Sequence, residues 1–352
     1  MKTKIKLVLL IIPLFLTGCV INFNNGKTSS IDSGFFVSPD KGKTWVQKTE
    51  FWTVGDEKSF FKTANVTFLK LDSKDPKAIY LGTIGDGLLY TFNNGNGWFK
   101  TLSGKGTIND VAIDPKDKCT LYVAVVNKIY KSDDCARNWD EVYVEGLPNQ
   151  TINAVAVDYF NNNKVYFATS GGGFFKSTDY GKSWSSINWF NNFVRKIIIN
   201  PKNPSKIYVA TNTAGLFKSS DEGATWSNIS DVIKDKNKDI NSYRDLEIDL
   251  TKDDALLYAN KYGLFYSADG GTSWKEYKLL TKPNAINIYS IAMNPNNAKE
   301  IYYTTASAIY KSFDGGEEWT NESLKTSKTP VDMAISPLDS NTIFIGVREI
   351  KK

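Results

Sequence analysis

The chain has 352 residues, with 43 Lys plus Arg against 38 Asp plus Glu, three cysteines and no histidine. Its 41% hydrophobic and 13% aromatic content supplies a real core, which excludes disorder and a collagen-like fibre. The missing histidine excludes a His-bearing zinc site, Ser-His-Asp or Cys-His catalysis and an imidazole pH switch, and leaves carboxylate chemistry open.

Residues 1–18 place Lys2, Lys4 and Lys6 before an apolar run from Leu7 to Leu16, broken only by Pro13. This is the layout of a secretory signal, and the run is too short to span a bilayer. The stretch Leu16-Thr17-Gly18-Cys19 resembles a bacterial lipobox. That resemblance implies cleavage before Cys19, lipidation of its sulfur and a membrane tether through acyl chains. Val20 resembles a sorting position without the inner-membrane retention Asp, which in a double-membrane bacterium favours the outer membrane. Loss of residues 1–18 removes three lysines and no acid, so the formal charge falls from +5 to +2. A nearly neutral mature chain argues against a nucleic-acid partner. Residues 19–33 then read as a flexible tether.

From residue 34 onward the sequence repeats. The octapeptide Ser-x-Asp-x-Gly-x-Thr-Trp occurs at Asp40 to Trp45, Asp179 to Trp184, Asp221 to Trp226 and Asp269 to Trp274, with Ser in place of Thr in the second and fourth. Three copies are eroded: Asn93 to Trp98, Asp134 to Trp139 and Asp314 to Trp319. Before each later box stand two β-branched apolar segments parted by a polar Pro/Asn/Asp/Lys turn, and then a Gly-Leu-Phe-like segment. Runs of four to seven residues between turn residues are strands. The unit is therefore a four-stranded antiparallel sheet of about 45 residues, the size of a propeller blade. The chain opens on the second half of a unit, Gly34 to Val37 and its box, and ends on the first half of one, Val331 to Gly346. Pairing the halves removes two raw sheet edges. The expected fold is all-β: a single seven-bladed propeller over residues 34–352, closed by a blade shared between N- and C-terminal strands.

The box resembles the Asp-box, or BNR, repeat, and the resemblance covers nearly all of the mature chain. That repeat occurs in sialidases, xyloglucanase-type glycoside hydrolases, sortilin-like receptors and photosystem assembly lipoproteins, so it specifies a scaffold and not an activity. Physically the box is a hairpin device: the Asp accepts N–H groups of its own turn, the Gly takes positive φ, and the Trp covers the layer between blades. Carboxylates on separate outer edges cannot converge on one substrate, so the box residues read as structural and no metal is expected. Cys119 and Cys135 fall in two turns of one blade that project from the same face, and in an exported compartment they form a candidate disulfide.

Function must then be inscribed in the opposite loops and near the axis. The connection 46–65 carries Phe51, Trp52, Phe60 and Phe61 beside Asp56 and Glu57; the connection 185–193 carries Trp189, Phe190 and Phe193. Such aromatics suit a sugar-stacking platform or a protein contact. In repeat alignment Thr67, Asn109, Asn153, Arg195, Arg244, Tyr289 and Val331 are equivalent, followed by Phe68, Asp110, Ala154, Lys196, Asp245, Ser290 and Asp332. Arg195 and Arg244, from adjacent blades, can grip a carboxylate or phosphate jointly, with Lys196 and Tyr289 alongside. A sialidase would need three axial arginines and an Arg-Ile-Pro signature, which is absent. The xyloglucanase type spans two propellers where this chain has one. The alternative is a carboxylate-based glycoside hydrolase acting through Asp110, Asp245 or Asp332. The assembly lipoproteins share the lipobox and seven boxes, but this chain is Lys-rich and Arg-poor. The favoured reading is a membrane-tethered binding or assembly module for a protein or carbohydrate, with no cofactor.

Overall fold

The computed structural model describes residues 32–53, 57–61, 63–236 and 238–350. The signal segment, Cys19 with most of its tether, and Asp56 lie outside the described residues. Seven four-stranded antiparallel sheets follow one another around a ring. Blades 1 to 6 take their strands consecutively, from innermost to outermost, and their innermost strands are Val66–Leu71, Ile108–Ile113, Ile152–Val157, Val194–Ile199, Tyr243–Ile248 and Ser290–Asn294. Blade 7 joins the two ends of the chain: Thr329–Ile335 and Ile343–Arg348 form its inner half, Gly34–Ser38 and Val46–Gln47 its outer half. The seam is in register from Gly34 opposite Val347 to Ser38 opposite Ile343.

Burial explains the alternation of segments in the sequence. The second strands of blades 1 to 5, such as Ile79–Thr83, Leu121–Val125 and Ile207–Thr211, are buried at every position. A strand covered on both faces reads as a continuous β-branched and aromatic run. The apolar clusters lie between blades: one unites Tyr80 and Leu88 of blade 1 with Val111 and Val123 of blade 2. The core is thus distributed between neighbouring sheets, so every blade depends on two others.

The box closes the turn between third and outermost strands. Asp221 Oδ1 accepts the Ser219 hydroxyl at 2.7 Å and the Thr225 N–H at 2.8 Å, while Oδ2 accepts the Thr225 hydroxyl at 2.6 Å. The Thr225 hydroxyl, then its N–H and the Ser219 hydroxyl, hold the Asp221 carboxyl at about 2. Gly223 sits at φ 92°, and its N–H donates to Ser219 Oγ at 2.8 Å. In the eroded second copy Asn93 Oδ1 still accepts the Thr91 hydroxyl at 2.7 Å. The Gly97 of that copy makes room for Trp52, whose ring would lie 2.8 Å from an added Cβ. In the third copy Ala136 takes φ 67° where the others carry Gly. There Cys119 and Cys135 are joined by a disulfide, and the Cys135 N–H donates to the Cys119 carbonyl at 3.0 Å.

Two connections are more ordered than open loops. Residues 227–242 contain 3₁₀ turns at Asp231–Lys236 and Lys238–Asn241, with Ile233 and Ile240 buried against Phe265. In the first connection Phe51 pairs with Trp98, and Phe61 packs edge-on to the Trp98 ring at 5.6 Å. Strand Ser185–Trp189 extends through Trp189, which places that residue on a blade edge and not in a loop.

Candidate functional site

The innermost strands have no neighbour on their axial side, so their outward N–H groups need other acceptors. Each of the strands of blades 1 to 5 and 7 also shifts register near its start, as at Val194/Lys196 and Tyr243/Asp245. The skipped residues are Thr67, Asn109, Asn153, Arg195, Arg244 and Val331. The outer ring of aligned positions is therefore a ring of β-bulges, which re-aim one side chain per blade. Thr67 uses its hydroxyl on the Ile108 carbonyl of the next blade at 2.6 Å, and Asn109 donates to the Ile152 carbonyl at 2.8 Å.

One position further along, the three aspartates share one geometry. Asp110 accepts its own neighbour's N–H from Val111 at 2.8 Å and reaches the Val155 N–H of the next blade at 3.0 Å. Asp245 does the same with Leu246 (2.8 Å) and Ile291 (3.0 Å), and Asp332 with Met333 (2.9 Å) and Leu69 (2.8 Å). Each carboxylate staples blade n to blade n+1. Lysines occupy the remaining lone pairs of two: Lys70 Nζ lies 3.2 Å from Asp110, and Lys196 Nζ lies 3.0 Å from both Asp245 and Glu247. Burial raises the Asp332 carboxyl to about 7, helped by the charges of Asp245 and Glu247 and opposed by Lys196 and the Leu69 N–H. The two acids beside Lys196 raise its ammonium well above the ordinary value despite burial.

The arginines above this layer are differently placed. Arg195 donates through Nε and Nη2 to Asn212 Oδ1 at 2.9 and 2.7 Å and lies over the Phe193 ring. Arg244 donates to the Tyr243 carbonyl at 3.3 Å and to Asn287 at 3.1 Å, while its buried Nε has no acceptor among the described residues. Arg348, at the end of the second strand of blade 7, belongs to the same group. Desolvation at the channel mouth, together with the like charges of Arg348 and Arg244, holds the Arg195 guanidinium below its ordinary value. Among the described residues every ion pair uses a lysine, and none of these three arginines has a carboxylate. Sequence alignment reached Arg195 and Arg244 but not Arg348. The register of blade 7, which sets Arg348 opposite Thr329, is the signal that would have found it.

Tyr289 is half-buried and donates its N–H to the Thr304 carbonyl at 3.0 Å, with no hydrogen bond to Arg244 among the described residues. The aromatics do not assemble into one platform. Trp52 is 59% exposed and packs on Phe99 at 6.3 Å. Phe190 packs between Trp226 and Phe217, each at 5.0 Å, as part of the core between blades 3 and 4. Trp189 is exposed on its own strand edge.

Comparison with known proteins shows likenesses in both sequence and structure. Residues 172–263 match the sortilin–Vps10 family model, described as sortilin, neurotensin receptor 3. A vacuolar protein sorting/targeting protein 10 of Verticillium alfalfae is 36% identical over 62 residues, which is 18% of this chain and 4% of that protein. The match therefore spans only a small fraction of that relative's length. Among solved structures, the GH74 enzyme of Niastella koreensis superposes with a TM-score of 0.67 at 17% identity, over 85% of this chain and 53% of that one. YCF48 bound to a D1 peptide superposes with a TM-score of 0.62 at 14% identity, over 82% of this chain and 94% of that one. At these identities the structural likeness establishes the propeller fold.

Proposed function

We propose that this Asp-box propeller is an exported binding or assembly module, tethered to the outer membrane through a lipidated Cys19, whose arginine-ringed axial mouth holds an acidic segment of a protein partner. The observation that carries the reading is the division of labour at the axis. The acids are spent on backbone N–H groups and lysines, whereas Arg195 and Arg244 are held by the Asn212 and Asn287 amides and, among the described residues, neither they nor Arg348 is paired with a carboxylate. Guanidinium groups held by neutral amides are pre-oriented for carboxylate forks and need not break an ion pair to bind. A propeller of this fold is known with a bound peptide and another as an enzyme, so the choice rests on the axial side chains.

One observation favours the hydrolase alternative. An Asp332 carboxyl raised to about 7 keeps its proton near neutrality, as a general acid must. Both its oxygens, however, already accept backbone N–H groups. The test uses full-length chain expressed in cells fed labelled palmitate and purified from detergent-solubilised envelope. Label should be present and lost in Cys19→Ala. An acidic partner should co-purify, elute with salt, and fall at least about tenfold in Arg195→Gln/Arg244→Gln. Release of reducing sugar from a polysaccharide, abolished by Asp332→Asn, would replace this reading with the hydrolase.

A further inference from the structure

A cavity of about 360 Å³ opens between the loop Asn260–Gly263 of blade 5 and the connection that leads into blade 6. Its apolar lining comes from Tyr277, Leu279, Ile286 and Ile288, of which Tyr277 and Ile288 are buried. Tyr262, stacked against Phe265 at 6.1 Å, forms one side. Asn260 also lines it. The Oδ1 of that side chain accepts the N–H groups of Tyr262 and Gly263, both at 3.0 Å. Its Nδ2 has no acceptor among the described residues, although Asn260 is only 1% exposed. At the rim stand Lys278 and Lys282, neither with a carboxylate partner among the described residues, against one acid, Glu276.

We infer that this cavity is a binding site for a small monocarboxylate with an aromatic or branched aliphatic body. The size is at the low end of ligand pockets, about 300–1,000 Å³, so one compact molecule fills it. Lysines outnumber the single acid around the opening, so the matching head is an acceptor-rich anion. Tyrosine, leucine and isoleucine select an apolar body. A sugar acid supplies the head but would press several hydroxyls against Leu279, Ile286 and Ile288 without partners, which is costly. The connection that lines it also carries Asn287, the acceptor of Arg244, whereas Arg195 bonds Asn212 in another loop and is the control for the arginine mouth.

The experiment titrates phenylacetate, phenethylamine and glucuronate into the full chain by calorimetry and ligand-observed NMR. Phenylacetate should bind saturably with a submillimolar Kd, and phenethylamine, the same body with a cation, should not bind. Lys278→Gln/Lys282→Gln, two exposed changes that leave the fold intact by circular dichroism, should weaken phenylacetate at least about tenfold. Arg195→Gln alone should leave it unchanged. Absence of saturable phenylacetate binding, equal binding in the lysine double variant, or preference for glucuronate would each overturn the assignment.

Discussion

At the residue scale the box is a conformational device, and its glycine has two jobs. Gly181 lies at φ 80°, and a Cβ added there would meet the Tyr122 ring at 2.9 Å. Left-handed backbone costs an L-residue roughly 1–2 kcal/mol, and forcing a methyl against a fully buried ring adds about 1–3. Gly181→Ala should therefore destabilise the protein by roughly 2–5 kcal/mol, read as a drop in urea midpoint at unchanged m-value. Ala136 holds the same place in blade 2 at φ 67° and is buried in the core between blades 1 and 2. There, relief of strain on changing to Gly is offset by the lost methyl burial, about 0.8 kcal/mol, and by the extra chain entropy of glycine. Ala136→Gly should accordingly stay within about 1 kcal/mol of wild type. Both positions were readable from the octapeptide alone, because a turn fixed by local hydrogen bonds writes its requirements into adjacent residues.

At the scale of the element, the inner strands show where reading the sequence stops. Alignment brought Asp110, Asp245 and Asp332 to one level, but acids near an axis suit catalysis as well as architecture. Their job is decided by the N–H groups of Val155, Ile291 and Leu69, which lie 45, 46 and 263 residues away. Only the ring geometry brings these donors within reach. The Asp332 staple has a pH signature. Its folded carboxyl titrates at about 7, above the usual carboxylate value. A raised acid binds more protons folded than unfolded, so its contribution is full below pH ~4 and is lost as pH rises towards 7. Glu247, raised by burial beside Asp245 and lowered by Lys196, adds to the same trend. The box acids act oppositely: Asp40, Asp134, Asp179 and Asp221, held at about 2, lose their contribution as pH falls below ~4. Stability measured by urea should peak near pH 4–5, fall steeply in acid and decline gently to pH 7. Asp332→Asn should lower the whole curve, because a carboxamide accepts only one of the two N–H groups, and should flatten its neutral limb. An unchanged slope between pH 5 and 7 in that variant would refute the assignment.

At the scale of the whole molecule, the half-repeats at the two ends made closure legible. The arginine group was legible only in part, because Arg348 ends a second strand and falls outside the aligned positions of the innermost ones. The same seam separates a ring from an open array of blades in an experiment. In Ile343–Arg348 the side chains of Ile343, Phe344, Ile345 and Val347 are buried, and Phe344 stacks on Phe35 at 5.7 Å. Each such side chain contributes about 1.5–3 kcal/mol on burial, so the four together approach the whole net stability of a domain, about 5–15 kcal/mol. Removing residues 342–352 also strips the Gly34–Ser38 and Thr329–Ile335 strands of their shared partner. In an open array such a deletion would cost one terminal unit and leave the remaining repeats folded. In a ring, blades 6 and 1 would both lose a covered face, and the loss would spread from each side. The truncated chain should show no cooperative thermal transition and little sheet signal in far-ultraviolet circular dichroism. Retention of most of the sheet signal with one blade's worth lost would mean that the blades stand without the ring, and that the arginine mouth has no fixed third member.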